Sequence, residues 1–463
     1  MLMPMSPLDS MFLLGDAPEH PLHVGGIQIF QPPEGADARD VRDLLDSHIE
    51  DEPGNVSERF AKRPRRTLMT LGQWAWDTDS AVDLDHHFHK NALPTPGGDR
   101  ELTNLCAHLH STPLDRTRPL WEMHFIEGLR DGRFAIYTKV HHSIMDGVTA
   151  MKVLRRSLSE NSEQRGMSAP WQNHPKAETN AEQRGIRVVD LPGAAVRTGR
   201  SLLGEVAGTV PALATTVSRA VQDRGGAMSL SAPRTMFNVQ VSRARDYSAR
   251  ALPLEQLRLV AKYADATIND VVLAMSSGAL RSYLSDQSAL PDEPLVAMVP
   301  VSLHDRTGTE EGNAVGVLMC NLGTHLSDPI ERLSTIRTCM NDGKTSLRAM
   351  SPTQVLTMSG LGAAPAGANM FFGRNPLPRP PFNLVISNIA GPSAPQYWNG
   401  AHLDALYPLS VPMHGQAMNI TCTSSDDTIS FGVTACRKSV PDLQSFPGRL
   451  SAELAALENA FGI

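Results

Sequence analysis

The segment His141-His142-Ser143-Ile144-Met145-Asp146-Gly147 gathers two imidazoles, a carboxylate and a turn-permissive glycine into seven residues. Histidine suits general-base chemistry near neutral pH, because its unperturbed pKa is about 6.5. A well-placed base typically contributes about 10²–10⁴-fold to rate. The two histidines cannot share that task. Neighbouring side chains on an extended backbone point to opposite faces, so if His142 faces a cavity, His141 faces away and is free for a structural hydrogen bond. Asp146 can orient an imidazole or brace the turn through an arginine. An ordinary pair of loop histidines capping a helix is the competing reading; the Asp-Gly spacing and the strand before it favour chemistry.

The elements that must hold this segment are legible on both sides. Trp121 to Leu129 alternates in character as a strand does. Arg130-Asp131-Gly132-Arg133 supplies a hairpin turn, since Asp-Gly tolerates the positive φ angles of tight hairpins. A second strand, Phe134 to Val140, delivers the two histidines at its end, where a rigid element gives way to a loop. Asp146-Gly147 breaks the strand, and Val148 to Leu158 reads as a helix with apolar residues at Val148, Met151, Val153, Leu154 and Leu158.

The histidine segment resembles the HHxxxDG signature of the CoA-dependent acyltransferase superfamily, which includes chloramphenicol acetyltransferase and peptide-synthetase condensation domains. Four further stretches narrow the resemblance to bacterial wax ester synthase/acyl-CoA:diacylglycerol acyltransferases. Ser6-Pro7-Leu8-Asp9-Ser10-Met11-Phe12 followed by Pro21-Leu22-His23-Val24-Gly25-Gly26 is similar to that family's opening. Pro119-Leu120-Trp121 matches its PLW motif and Asn269-Asp270 its ND motif. Asn383 to Pro392 is similar to a late NVxISNVPGP segment, departing at Ala390 where proline is usual, which puts local loop rigidity in question. The resemblance runs from about residue 6 to Arg437.

That resemblance implies an α+β fold of two chloramphenicol acetyltransferase-like subdomains, mixed sheet plus helices, with an active-site channel at their interface. It implies transfer of a long-chain fatty acyl group from acyl-CoA to a long-chain fatty alcohol, and to diacylglycerol. His142 would be the general base, with His141 beside it and Asp146 bracing the loop. The developing oxyanion needs a donor, and losing one such donor typically costs about 10²–10³ in rate. The ND motif is implied to lie near the active site, so Asn269 is the donor or positioning candidate; it also begins an apolar helix, where Asn or Asp is an ordinary N-cap. Pro119, Leu120 and Trp121 either shape an acyl channel or simply pack. Gly147, Asn383 and Ser387 to Gly391 are assigned to the substrate cleft. No Gly-x-Ser-x-Gly elbow exists and no cysteine has a motif around it, so direct transfer is preferred to an acyl-enzyme. Acyl-CoA enters as substrate, with no metal or prosthetic group. The competing functions are a condensation-type enzyme with another acceptor and a non-catalytic lipid-binding scaffold.

Composition narrows the classes further. Across 463 residues, 41% are hydrophobic and 20% charged, so a full core can form, and the length suggests two or three domain-sized units. The net charge of −7 argues against nucleic acid. Five scattered cysteines, without a Cys-x-x-Cys pair, fit a reducing cytoplasm. The beginning of the chain does not read as a signal peptide, and its most apolar window, Leu202 to Val217, is too short to span a bilayer.

The expected organisation is a first subdomain over 1–160, a linker region over 161–235 and a second subdomain over 236–463. Glu160 to Arg184 is polar and aperiodic and reads as a mobile connection. Ile186 to Val221 carries interspersed arginines; an amphipathic surface touching membranes or lipid droplets competes with helices packed on the protein, and packing is preferred. Asp85 to Lys90 holds His86, His87 and His89, with no independent acidic or cysteine ligand set evident, so a metal role is disfavoured. Gly360 to Gly367 is glycine-rich but follows no clear strand and is no dinucleotide fingerprint.

Overall fold

The computed structural model describes residues 2–51, 54–70, 72–173, 232–302, 315–351 and 379–463, with Ser229, Gln354, Val355 and Met358 besides. The first half contains β1 (Met3–Pro4), α1 (Pro7–Gly15), β2 (His23–Gln31), α2 (Ala38–Asp51), β3 (Lys62–Arg65) and β4 (Ala75–Thr78). It continues with α3 (Leu84–His87), β5 (Phe88–Ala92), α4 (Asp99–His110), β6 (Trp121–Glu127), β7 (Phe134–His141) and α5 (Gly147–Ser157). The second half opens with β8 (Arg245–Pro253), α6 (Leu254–Tyr263), α7 (Ile268–Asp286), β9 (Val296–Ser302), β10 (Val315–Asn321) and α8 (Pro329–Arg348). It closes with β11 (Leu384–Ile389), β12 (Tyr397–Trp398), β13 (Ala401–Leu409), β14 (Met418–Ser425), β15 (Thr428–Cys436) and α9 (Phe446–Phe461).

Two six-stranded mixed sheets carry the fold, ordered β12-β13-β2-β7-β6-β5 and β10-β9-β11-β14-β15-β8. The expected hairpin forms: β6 and β7 pair antiparallel from Trp121↔Val140 to Ile126↔Ala135, and Gly132 turns with φ 79°. Period-two alternation sorts β7 cleanly. Ala135 and Tyr137 pack under α4 against Cys106 and Ala107, while Ile136, Thr138 and Val140 face the opposite side. The second sheet is sorted the same way. Leu384, Ile386, Ile420 and Cys422 join the core built with α6 to α9, and the intervening residues of β11 and β14 face out of it.

The strand boundaries follow the sequence pattern closely, but the halves do not follow the chain. β12 and β13, drawn from the second half, complete the first sheet: β13 pairs antiparallel with β2, from His402↔Gln31 to Leu409↔Gly25. A boundary at residue 236 therefore divides the chain but not the sheets. The linker expectation also changes. Met167-Ser-Ala-Pro-Trp171 supplies apolar side chains in an otherwise polar run, and Trp171 is fully buried, 6.5 Å from Trp121 and 5.4 Å from Phe88 between ring centroids. The Ser57 N–H donates to Trp171 O at 2.9 Å, and the Met167 N–H to Asn399 Oδ1 at 2.8 Å. The stretch Met167 to Gln172 is thus docked into the first half's core, while 161–166 stay exposed. The helices expected over 186–221 lie outside the described residues, as does the glycine-rich 360–367 stretch. Among the described residues, no helix is long and apolar enough to cross a membrane.

Trp171→Ala should cost about 3–5 kcal/mol, the usual range for truncating a buried tryptophan. Urea unfolding checks this, and an unchanged midpoint would show that the segment after α5 is not docked.

Candidate active site

β7 ends at His141, and the main chain then turns so that the two histidines diverge. The His142 N–H donates to Leu22 O at 2.9 Å, and its ring stacks on Phe12 of α1 with centroids 4.2 Å apart and planes 18° apart. His142 lines a cavity of about 390 Å³ whose walls come from both sheets. Its Nδ1 is sealed from solvent and has no hydrogen-bond partner among the described residues. Burial holds this imidazole below its ordinary pKa, against the opposing pull of its own backbone carbonyl and the carboxylates of Asp146 and Asp9. A neutral ring able to accept a proton is the outcome.

His141 faces the other way and is absent from the cavity wall. Its Nδ1 accepts the Ser143 N–H at 3.2 Å and lies 2.7 Å from Ser143 Oγ. The ring proton therefore belongs on Nε2, which is 3.8 Å from Asp16 Oδ2. Burial pushes the His141 pKa down to about 4. Asp16 in turn accepts from Arg116 at 2.6 Å and from the Leu22 N–H at 2.8 Å. This ties the backbone that holds His142 to a fixed ion pair.

Asp146 sits where the turn becomes α5. Its Oδ1 accepts the Thr149 N–H at 2.8 Å, the geometry of an N-cap. Arg59 braces the same turn through Ile144 O at 3.1 Å. Gly147 lines the cavity next to β11, and a Cβ built there would lie 2.5 Å from Ile389 Cδ1. Arg155 of α5 donates to Gly391 O, which fastens the helix to the segment after β11.

Of the other sequence candidates, Ser387 lies on the cavity wall. Asn269 does not: it occupies the first turn of α7, where Thr267 is the N-cap and Asp270 returns the capping-box hydrogen bond at 2.9 Å. The helix-start pattern accounts for that dipeptide's place in the fold. Pro119, Leu120 and Trp121 are buried in packing rather than lining the cavity; Trp121 Nε1 donates to Phe60 O at 2.7 Å, and the indole stacks on His87. Asn383 is buried away from the cavity as a backbone clamp, accepting the Val296 N–H and donating to Pro233 O and Asn238 Oδ1.

The sequence reading passed over Asn419, Thr421 and Thr423, which share the cavity face of β14. A polar residue at every second position of an otherwise buried strand was the available signal. Thr421 Oγ1 donates to Asn419 Oδ1 at 2.9 Å, orienting that amide. Phe12 was within the opening motif but had no role until the stacking on His142 was visible.

Two family models match: the wax ester synthase/diacylglycerol acyltransferase catalytic domain over residues 5–272 and the WS/DGAT C-terminal domain over residues 311–458. The chain belongs to the wax ester synthase/diacylglycerol acyltransferase family. A Mycobacterium tuberculosis protein provisionally named diacylglycerol O-acyltransferase is 44% identical over 463 residues, covering 98% of this chain and 90% of that one. A second from the same organism is 42% identical over 459 residues, covering 99% and 100%. The wax ester synthase/diacylglycerol acyltransferase of Marinobacter aquaeolei superposes with TM-score 0.80 at 38% identity, covering both chains fully. A mutant starter condensation domain of rhizomide synthetase, solved with C8-CoA and Leu-SNAC, gives TM-score 0.57 at 12% identity, over 100% of this chain and 94% of that one. That last likeness shows a shared fold. The expected α+β fold of mixed sheets and helices is therefore present.

The Gly147 contact is testable. Gly147→Ala should lower acyl transfer about tenfold by crowding β11, and adding Ile389→Val should restore part of the loss. Additive losses in the double variant would show that the two side chains do not meet.

Proposed function

We propose that this acyltransferase joins a long-chain acyl group from acyl-CoA to the hydroxyl of a long-chain fatty alcohol, giving a wax ester, and to diacylglycerol, giving triacylglycerol. The observation that carries the reading is the neutral His142 imidazole on the wall of a predominantly apolar cavity between the two sheets. With Nδ1 sealed, Nε2 is the nitrogen left for proton transfer. The acceptor hydroxyl gives its proton to His142 as its oxygen attacks the thioester carbonyl. The tetrahedral intermediate then collapses, breaking the C–S bond, and the departing CoA thiolate takes that proton back from the imidazolium. Net charge is unchanged, and acyl-CoA is consumed as substrate without a prosthetic group.

Three features support direct transfer by this route. All five cysteines are free and buried, and none lines the cavity. The Asn419 amide, oriented by the Thr421 hydroxyl that donates to its Oδ1, offers an N–H donor on the wall contributed by β14, where a developing oxyanion would need one. Met123, Met151 and Met298 line the cavity with unbranched, adaptable side chains suited to a flexible alkyl chain. His141 and Asp146 act as positioning residues. Because the acceptors are lipids, we assign the working protein to the cytoplasm in peripheral contact with a membrane or droplet surface.

Purified protein incubated with palmitoyl-CoA and either hexadecanol or dioleoylglycerol should release free thiol and form the matching ester. His142→Ala should retain the fold and lose about 10²–10⁴-fold in rate. Equal turnover by both proteins would remove His142 from the mechanism, whereas saturable acyl-CoA binding without turnover would favour a lipid-binding scaffold. Protonation blocks a base, so kcat/KM should fall as pH drops through the His142 pKa. Because that pKa is depressed, the midpoint of this acidic limb should lie below about 6.5. A limb centred above neutrality would contradict the assignment.

A further inference from the structure

Across the first sheet from the acyl cavity, three ligand-bearing side chains converge. β5 and β6 run parallel and place His89 beside His124, with ring centroids 4.7 Å apart and planes 27° apart. Glu122 stands two residues before His124 and therefore on the same face of β6. One ligand atom from each of His89, Glu122 and His124 lies within 4.8 Å of the others. We propose that these three residues bind a divalent transition-metal ion of the zinc class, clamping the edge strand β5 to β6.

The donor chemistry fits. Imidazole favours zinc, copper and nickel, and two histidines with one carboxylate form a common three-ligand set that leaves a position for water. Zinc bonds of about 2.0–2.1 Å need ligand atoms about 3.3 Å apart in a tetrahedral site, within reach of side-chain rotation. His124 adds an independent indication. Its side chain is only 6% exposed, and Nε2 faces Glu122 Oε2 at 3.4 Å, so two of the three ligands already converge in a buried setting. Its other nitrogen, Nδ1, lies 3.3 Å from the Asn91 amide. The Asn91 amide nitrogen is the atom facing Nδ1; a flipped amide would accept from Nδ1–H and leave the Nε2 lone pair for the ion, the usual support for a metal-bound histidine.

Lys139 sets the strength of the site. Its ammonium lies 2.7 Å from Glu122 Oε2, and it also donates to Leu109 O and Thr112 O beyond the end of α4. This fixes Glu122, and the oxygen it holds, Oε2, is also the one that faces His124 Nε2. A neighbouring positive charge weakens cation binding, so the expected affinity is micromolar. Half-buried His89 provides the path from solvent. The histidine run around residues 86–89 held only one of the ligands: His87 is turned inward, its Nδ1 2.8 Å from Trp121 O, and the remaining ligands come from β6.

Zinc titration of the full chain by calorimetry, beside a thermal melt, tests the site independently of acyl transfer. One saturable ion and a raised melting temperature are expected for the wild type. His89→Ala, at a half-buried position of an edge strand, should lose both effects while keeping acyl transfer. Asn91→Ala removes no ligand and should still weaken binding by about 10–100-fold. His402→Ala, at a separate surface histidine, should bind as the wild type does. No saturable binding at micromolar zinc would overturn the proposal, as would undiminished binding by His89→Ala, which would place the ion on another of the 16 histidines. Binding lost in His89→Ala but without thermal stabilisation in the wild type would overturn the clamp.

Discussion

The pairing of β13 with β2 is the constraint on which the rest of this structure depends. It inserts a strand of the second half into the first half's sheet and fixes how the two sheets face each other. The approach is close enough to require glycine at a buried strand position: a Cβ at Gly432 of β15 would collide with Pro408 O of β13. Tyr247 of β8 donates its hydroxyl to the same carbonyl at 3.1 Å. With the crossing strand held from both sides, Leu406, Pro408 and Leu409 become cavity wall, and the segment after β13 reaches the neighbourhood of His142. The cavity follows from strand exchange rather than from the docking of two independent lobes.

The two faces of the first sheet differ in where their buried polar groups lie. The cavity face is largely apolar. The face under α4 holds a buried polar network in which His110 is the hub, with Nδ1 2.8 Å from Tyr137 Oη and Nε2 donating to Ser410 O at 2.9 Å. The His110 carbonyl accepts from His23 Nε2 at 2.8 Å. Burial pushes the His110 pKa down to about 3 and that of His23 well below its ordinary value, so both rings are neutral and serve as hydrogen-bonding struts. His110 thereby ties α4 to the stretch that follows β13, while Asp16 and Arg116 secure the backbone beside His142. A base that must sit within a fraction of an ångström of its substrate needs such support from behind.

The sequence revealed whatever was local and periodic. The β6–β7 hairpin and the divergence of His141 and His142 follow from residue order alone. Contacts between distant segments were harder to read. Pro119-Leu120-Trp121 and Asn383 looked like cleft residues because they lie in motifs, but their partners, Phe60, Pro233 and Asn238, are remote in sequence and make them packing and clamping residues. Asn269 was ambiguous for a local reason, since a helix start and a catalytic amide use the same residue types. β12 and β13 carry no mark of the sheet they join, because a half-buried strand pattern does not specify its neighbour. The His89, Glu122 and His124 cluster escaped for the same reason: its ligands lie on two strands separated by α4.

One environment serves both substrate and base. The apolar walls that can shelter an alkyl chain also withdraw water from His142, and this withdrawal depresses its pKa. Depression has two opposing effects on catalysis: it raises the fraction of neutral base near pH 7 and weakens the base's affinity for a proton. The carboxylates of Asp146 and Asp9 act against burial and limit how far the pKa falls. Asp146 exerts this influence while capping α5, so its position is set by helix geometry rather than by contact with the ring. The seven-residue segment that opened the sequence reading therefore works as one unit. His142 supplies the base, Asp146 fixes the helix and moderates the local field, and Gly147 gives β11 room to approach.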